Sequence, residues 1–189
     1  MKITDRKTEI ITIAAKLFKE KGYSAVTMRD IAQAMDIKAA SLYNHIKSKQ
    51  EILVLIIIEI AEEFTNAMLE IVNSDETSIE KLEKIIQLHV DITMRDADAL
   101  ASLNADWMHL ADAELIYFIK MREDYEANFR IIINKGIADG EIKSYNSEVI
   151  IFSMLSTLRT LYLWFGNGKR LDVSTLKLNL TKVLLNGIV

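Results

Sequence analysis

Residues 27–53 read TMRDIAQAMDIKAASLYNHIKSKQEIL, and this stretch decides the fold. Thr27 and Asp30 have the spacing of a capping box, in which a hydroxyl and an acid close the first turn of a helix. A turn at Asp36 and a further helix over residues 38–46 are expected to follow. Two short helices joined by a tight turn form a helix-turn-helix, whose second helix enters the major groove of DNA. The stretch therefore predicts a DNA-binding head.

Amphipathic helices are predicted on both sides of this motif. Apolar residues recur at spacings of three and four over residues 5–21, and Gly22 then stops the helix. A second capping box at residues 48–51 opens a helix that we expect to run to about Val72. Within the motif, the residues expected to face inward are Ile31, Ala34, Met35, Leu42 and Ile46.

The rest of the chain predicts more helices and no strands. It contains no proline and few glycines, which suits long helices. Helices are expected over residues 77–94, 97–110, 113–138, 147–165 and 172–187, with breaks at 73–76, 139–140 and 166–168. We therefore predict an all-α chain of eight to nine helices. Residues 1–50 should form a three-helix DNA-binding domain that contains the helix-turn-helix, and residues 51–189 a second helical domain.

Composition excludes several classes of protein. Half of the 189 residues are apolar, so the chain can bury a core and is not disordered. The absence of cysteine excludes disulfides and thiol catalysis and favours a reducing compartment, so we expect a cytoplasmic protein. Nothing at the N-terminus resembles a signal peptide. The longest apolar run, residues 52–58, is too short to span a bilayer, and no membrane partner is expected.

The net charge of −4 hides an asymmetry along the chain. Residues 1–52 carry ten Lys and Arg against six Asp and Glu, whereas residues 53–189 carry thirteen against twenty-one. A basic head on an acidic body fits a protein that meets phosphate at one end only. Chance variation among solvated faces is the alternative interpretation.

The stretch from Ile10 to Leu53 resembles the DNA-binding domain of TetR/AcrR-family transcriptional regulators. The resemblance covers about a quarter of the chain and is carried by Ala14, Leu17, Phe18, Gly22, Tyr23, Thr27, Ile31, Ala32, Leu42, Tyr43, His45, Lys49 and Leu53. Asp36 departs from the family because a glycine usually stands in this turn, although Asp tolerates left-handed backbone better than most residues. Lys38, Ala40 and Ile46 are further departures.

The second helix of the motif presents a mixed surface. Its small side chains let the helix approach base edges, and Ala or Ser can meet a thymine methyl group. The resemblance implies phosphate contacts, which fix register without reading sequence, by Thr27, Tyr43, His45 and Lys49. The predicted DNA-binding set is Thr27, Arg29, Lys38, Ala39, Ser41, Tyr43, Asn44, His45 and Lys49. Tyr43 could instead pack between helices, and His45 could be a solvated surface residue.

In this family the C-terminal body usually holds a cavity for a small molecule, so the resemblance implies an effector. Met and aromatic side chains, which can line a loose apolar pocket, cluster between residues 94 and 164. The predicted ligand-binding set is Met94, Trp107, Met108, Phe118, Met121, Tyr125, Phe129, Phe152, Leu155, Arg159 and Tyr162. The same composition also describes an ordinary helical core, and both interpretations stay open.

The last two helices form the dimer in this family. Residues 149–165 are apolar on nearly every face, so this helix needs partners on two sides, the core of its own subunit and a second copy. Arg159 is expected either to bind an anionic ligand group or to pair with an acid across the dimer. The segment over 163–171, together with 184–188, is similar to the tail of regulators of fatty-acid, steroid and aryl-acetate breakdown. Several of those regulators respond to acyl-CoA thioesters.

These features predict a homodimeric, sequence-specific repressor that a small hydrophobic effector, for example an acyl-CoA, releases from operator DNA. A dimeric DNA-binding protein without an effector is one alternative, and a helical enzyme or binding module is another. No catalytic motif stands out, so no enzyme is expected. His89, His109 and Asp112 lack the spacing of metal ligands, and we expect neither a metal nor a cofactor.

Overall fold

The computed structural model describes residues 6–165 and 171–189, and every regular element in these ranges is helical. The α-helices are α1 (Arg6–Lys21), α2 (Met28–Ala34), α3 (Ala39–Leu42), α4 (Lys49–Asn73), α5 (Ser78–Ala105), α6 (Asp112–Ala138), α7 (Ser147–Phe165) and α8 (Val173–Asn186). The all-α prediction is confirmed, and the eight helices seen in the described ranges agree with the predicted eight to nine. The break predicted at 166–168 lies outside the described residues.

The helix-turn-helix begins with the predicted capping box. The Thr27 backbone N–H donates to Asp30 Oδ2 at 2.7 Å, and the Asp30 N–H donates to Thr27 Oγ1 at 3.2 Å. These bonds satisfy two donors that the first turn of α2 would otherwise leave unpaired. They also favour the charged carboxylate, so the pKa of Asp30 lies below its ordinary value.

The second helix of the motif is shorter than the sequence predicts. It was expected over residues 38–46, but α3 ends at Leu42 and residues 43–45 form a turn. The Asn44 N–H donates to Ser41 O at 3.3 Å and the His45 N–H to Leu42 O at 3.0 Å, which are bonds of the tighter 3₁₀ type. Asn and His are weak helix formers, so nothing local extends the α-helix.

Four of the five residues expected to face inward in the motif are buried. They are Ile31, Met35, Leu42 and Ile46. Ala34 is exposed instead, and Ala32 is buried in its place. The prediction for Ala34 is wrong because a helix of only seven residues turns a single face to the core, and positions 31, 32 and 35 share that face.

Two turns of the head use left-handed backbone. Gly22 follows α1 with φ of 82°, as expected of a glycine stop. Asp36, between α2 and α3, has φ of 53°. Among the described residues, it is the one residue other than glycine whose φ is positive. The turn therefore forms without glycine, as the sequence predicts.

Long helices make up the rest of the chain. The helix predicted to end near Val72 is α4, in which Ile52, Leu53, Ile56 and Ile57 are buried. Two helices predicted over 77–94 and 97–110 are one helix, α5, with non-helical backbone at Asp96 and an end at Ala105. No proline or glycine near residue 96 separates them. None of the helices in the described ranges has the length and apolar character to cross a membrane.

The chain divides into two compact units. Unit 1 comprises residues 6–61 and 98–119, and unit 2 comprises residues 62–97 and the described residues from 120 onward. Unit 1 thus joins the helix-turn-helix to a segment from the middle of the sequence. The functional boundary that the sequence predicts at residue 50 does not coincide with this division, and it stays a prediction.

Unit 2 contains one packing contact that only glycine permits. A Cβ added at Gly136 in α6 would lie 2.6 Å from Ile142 Cδ1 and 2.8 Å from Ser78 Cβ. These distances are shorter than real side-chain contacts allow. The missing side chain therefore lets the start of α5 and the segment after α6 pack tightly against α6.

Candidate nucleic-acid interface and effector site

The head presents an exposed surface at α3 and the turn that follows it. We call this surface the recognition face, and it consists of Lys38, Ala39, Ser41, Tyr43, Asn44 and His45. All are exposed except Ala39, which is half-buried, and Leu42 holds the helix to the core with none of its surface exposed. None of the polar side chains on this face bonds to another described residue. The donors and acceptors are thus available to a partner molecule.

A concavity lies beside the recognition face, between α2 and α3. Its volume is about 520 Å³, and it is lined by Arg29, Ala32, Gln33, Asp36, Ile37, Lys38 and Ala39. Arg29 and Lys38 are both exposed. Two exposed cations on one side of the head can attract the negatively charged phosphates of a DNA backbone. Three of the predicted DNA-binding residues therefore share this concavity.

Two predicted phosphate contacts have partners inside the chain. The Thr27 hydroxyl donates to Asp30 Oδ2 at 2.6 Å, and its oxygen caps α2. Lys49 lies at the start of α4, and its ammonium donates to the carbonyls of Tyr23 and Val26 at 2.8 Å each. Two of the three Lys49 N–H groups bond to backbone carbonyls of the same chain, so a phosphate contact by Lys49 stays a prediction.

A cluster around Tyr23 joins distant parts of unit 1, and sequence reasoning missed it. The Tyr23 hydroxyl donates to Gln50 Oε1 at 2.9 Å, and Gln50 Nε2 donates to the His109 carbonyl at 3.0 Å. The Tyr23 and His109 rings stack at 5.3 Å. Burial raises the pKa of Asp106 nearby above its ordinary value. In the sequence Tyr23 stood out only as one of the positions that carry the TetR/AcrR resemblance.

Three residues of the predicted ligand-binding set lie in unit 1. Trp107 and Phe118 stack with their ring centroids 5.9 Å apart, and Phe118 is buried. Met108 is 58% exposed, so its side chain lines no interior pocket within this unit. The structure thus brings the first two residues together and leaves Met108 at the surface.

The other eight lie in unit 2 and have different surroundings. Met121, Tyr125, Phe129 and Leu155 are buried, and Met94, Arg159 and Tyr162 are half-buried. Met94 packs against a buried cluster of Val90, Leu161 and Leu176. Phe152 is 72% exposed in this chain, and its place in the ligand-binding set stays a prediction. Its position on α7 is one helical turn from exposed Val149, which shows that this side of α7 faces away from the subunit's core.

Polar side chains meet inside unit 2, and we call them the interior polar cluster: His89, Tyr125, Glu126 and Arg159. A hydrogen bond of 2.9 Å joins His89 Nε2 to the Tyr125 hydroxyl, and the Phe64 ring lies 4.6 Å from the His89 ring. Burial lowers the pKa of His89 from 6.5 to about 3, helped by the positive charge of Arg159, so the imidazole is neutral. Burial also raises the pKa of Tyr125 well above its ordinary value.

Arg159 has an acidic partner within its own chain. Its Nη2 donates to Glu126 Oε1 at 2.7 Å, across α7 and α6. The sequence offered a ligand anion or an acid of a second subunit as partners, and it missed this pair because the residues are 33 positions apart. His89 was considered only as a metal ligand. Among the described residues, no group of three His, Asp or Glu could hold a metal ion.

Helices α7 and α8 carry large apolar side chains that are exposed. They are Val149, Phe152, Leu163, Leu178 and Val183, each at least 54% exposed. On α7 the residues between them are small and polar, and the Thr157 and Thr160 hydroxyls donate to backbone carbonyls one turn earlier. These hydroxyls need no solvent partner, so the surface can be covered without leaving them unpaired.

Comparison with known families agrees with this architecture. The sequence model described as "Bacterial regulatory proteins, tetR family" matches residues 10–56. The model described as "Tetracyclin repressor-like, C-terminal domain" matches residues 75–188, which is more than half of the chain. The first match covers the head and the second covers α5 to α8.

Individual relatives are similar along nearly their whole length. The chain is 28% identical to the HTH-type transcriptional repressor KstR2 of Rhodococcus jostii (strain RHA1) over 185 residues, which cover 97% of this chain and 91% of the relative. It resembles the structure of the ketosteroid transcriptional regulator KstR2 of Mycobacterium tuberculosis with a TM-score of 0.91, at 21% identity, over 100% of this chain and 97% of that one.

A third similar protein is AibR, whose structure was solved in complex with isovaleryl coenzyme A and operator DNA. The TM-score is 0.79 at 21% identity, over 95% of this chain and 97% of that one. At such identity the two structural likenesses establish the fold alone. The family assignment rests on the two sequence models, which together account for the head and the helical body. The chain therefore belongs to the TetR family, as a helix-turn-helix, DNA-binding transcriptional repressor and not an enzyme.

Proposed function

We propose that the chain is a homodimeric cytoplasmic repressor that a small hydrophobic effector releases from its operator. Two recognition faces would enter successive major grooves of a near-palindromic site. The observation that carries this proposal is the recognition face itself. Its polar side chains are exposed and bond to no other described residue, whereas Leu42 between them is fully buried.

Roles on the DNA follow from chemistry and position. Ala39 and Ser41 are small enough to meet base edges, and Asn44 can hydrogen-bond a base. Tyr43 and His45 would contact phosphates, together with Arg29 and Lys38 in the adjacent concavity. Lys49 would add a phosphate contact with the N–H that its two intrachain bonds leave over. Thr27 would contact a phosphate by turning its hydroxyl away from Asp30.

The exposed apolar side chains of α7 and α8 support a dimer. Large side chains at Phe152 and Val183 would otherwise leave apolar surface in water, and a second copy would cover it. The small residues Ser153 and Ser156 lie between the large ones and let two α7 helices approach closely. Two helices from each subunit would build a four-helix interface.

Unit 2 supports an effector with an apolar chain and a polar or anionic end. Tyr125 and Arg159 supply hydrogen-bonding groups on α6 and α7, the helices that also carry the buried side chains of Met121, Phe129 and Leu155. Arg159 could exchange Glu126 for an anionic group of a ligand, because both side chains are partly exposed. An acyl-CoA thioester has these features, and the name of the AibR complex includes isovaleryl coenzyme A.

The test is fluorescence anisotropy on a duplex from upstream of the chain's own gene and on a scrambled duplex. We expect a preference of about 10³-fold or more for the upstream DNA, with affinity falling steeply as salt rises. Isovaleryl-CoA and octanoyl-CoA are then added to the complex, with coenzyme A and octanoate as controls. Release by a thioester but not by coenzyme A is the expected result.

Two outcomes would contradict parts of the proposal. Equal and weak binding to both duplexes would contradict a sequence-specific regulator of its own promoter region. Specific binding that no thioester reverses would contradict the acyl-CoA class, and it would favour a dimeric DNA-binding protein without such an effector.

A further inference from the structure

Asp36 is an acidic residue in the concavity that also holds two cations of the head. It lies in the turn between α2 and α3 and lines the same concavity as Arg29 and Lys38. Its side chain is exposed and makes no hydrogen bond or ion pair with another described residue. Neither cation pairs with it or with any other described acid. The carboxylate therefore adds a negative charge where the proposed interface should be positive.

The fold does not need this carboxylate. The turn requires only a residue that tolerates φ of 53°, which glycine adopts without strain and asparagine adopts at least as readily as aspartate. The bond that closes the turn runs from the Asp36 backbone N–H to the Gln33 carbonyl at 3.1 Å, and every non-proline residue can form it. Local folding explains the backbone at residue 36, but it does not explain the charge.

We infer that Asp36 sets the strength of DNA binding by opposing the phosphates that Arg29 and Lys38 attract. This inference rests on the proposed function, since it needs the head to bind DNA. The carboxylate repels the backbone through water, so the effect is modest for one head and is doubled in a dimer. It weakens binding to every sequence, because phosphates carry no sequence information. An operator complex weakened in this way needs less effector energy for release.

The experiment compares Asp36→Asn with the wild-type chain on two duplexes, one of random sequence and one from upstream of its own gene. Removing one repulsive charge per head should raise affinity by ~2–3-fold per head and thus ~4–9-fold for a dimer. Both duplexes should gain by a similar factor at low salt. The gain should shrink as salt rises toward physiological strength, since the carboxylate and phosphates are exposed to solvent.

Glu59→Gln is the matched control, because it removes the same charge from another exposed acid of unit 1. Residue 59 lies ten positions after the start of α4, or about 15 Å along the helix. This variant should bind both duplexes within about 2-fold of wild type at the same salt. Asp36→Gly serves as a second variant, since it keeps the left-handed turn and also removes the charge.

Each outcome decides the inference. Gains for Asp36→Asn and Asp36→Gly that fade with salt, alongside an unchanged Glu59→Gln, would support it. Affinities of both Asp36 variants equal to that of Glu59→Gln would overturn it while leaving the DNA-binding proposal intact. If the folded wild-type chain and all variants bind neither duplex, the proposed function fails first and the inference falls with it. Thermal melts of each variant establish that the proteins compared are folded.

Discussion

The recognition face and the interior polar cluster are both built from polar side chains, but they differ in what satisfies their hydrogen bonds. Tyr43 on the recognition face is 53% exposed and bonds to no described residue, whereas Tyr125 in the cluster is 6% exposed and bonds to His89. A polar group in water costs the fold nothing, but a buried one must be paired. Changes at the recognition face should therefore alter binding alone, and changes within unit 2 should alter stability as well.

The largest effect is expected at Phe129, a predicted ligand contact with none of its surface exposed. Phe129→Ala removes a close-packed ring from α6 and should lower the free energy of unfolding by about 3–5 kcal/mol in urea denaturation. Ile131→Ala is the control on the same helix, since Ile131 is 56% exposed. A loss for Phe129→Ala no larger than that of the control would mean that the ring lines an open cavity and not a packed core.

The next effect is a dependence of stability on pH. The folded pKa of His89 is about 3 against an ordinary value of 6.5, so between these values the unfolded chain binds a proton that the folded chain does not. Stability should therefore fall as pH falls from about 6.5 toward 3, by up to about 1.4 kcal/mol per pH unit from this residue. Denaturation at a series of pH values should show a shallower slope for His89→Gln than for wild type.

His45→Gln provides the comparison for that experiment, because His45 is exposed on the recognition face. It should keep the slope of the wild-type chain. Equal slopes for wild type and His89→Gln would show that His89 titrates normally, and the interior polar cluster would then not be buried in solution.

A smaller effect is expected at Lys49, which belongs to the predicted DNA-binding set but donates to two carbonyls. Lys49→Met keeps the aliphatic stem and leaves those carbonyls without their donor, which should cost about 1–3 kcal/mol of stability. Thermal and urea denaturation measure this cost. Lys47→Met removes the same charge from an exposed side chain and should leave stability within about 0.5 kcal/mol. If the two variants are equally stable, the bonds from Lys49 to the two carbonyls do not stabilise the fold.

Features set by neighbours in sequence could be predicted. The capping box at Thr27 depends on residues three apart, and it forms. In the box predicted at residues 48–51 the Glu51 N–H donates to Ser48 Oγ at 3.0 Å, while the Glu51 carboxylate accepts from the Lys47 N–H. The stop at Gly22 and the left-handed turn at Asp36 likewise depend on the backbone preferences of one residue. Local chemistry of this kind is visible in the sequence because no distant contact is needed to decide it.

Features set by distant contacts could not be predicted. The His89–Tyr125 bond spans 36 positions and the Arg159–Glu126 pair 33, and no periodic pattern records such separations. Apolar periodicity identified α7 as buried on several sides, but it could not tell which large residues face the core. Phe152 was therefore included in the predicted ligand-binding set, and nothing in the sequence indicated that its side chain is 72% exposed. The length of α3 was also missed, since weak helix formers let a turn replace its last residues.

The central claim is that the recognition face binds DNA, and Tyr43→Ala tests it most directly. The matched control is Tyr145→Ala, because Tyr145 is a tyrosine of unit 2 with nearly the same exposure, 54% against 53%. In anisotropy on the upstream duplex, losing one contact to charged phosphate per subunit should weaken binding by about 100-fold for Tyr43→Ala. Thermal melts should show no loss of stability, and Tyr145→Ala should bind as wild type does. Equal affinity for the two variants would contradict the account.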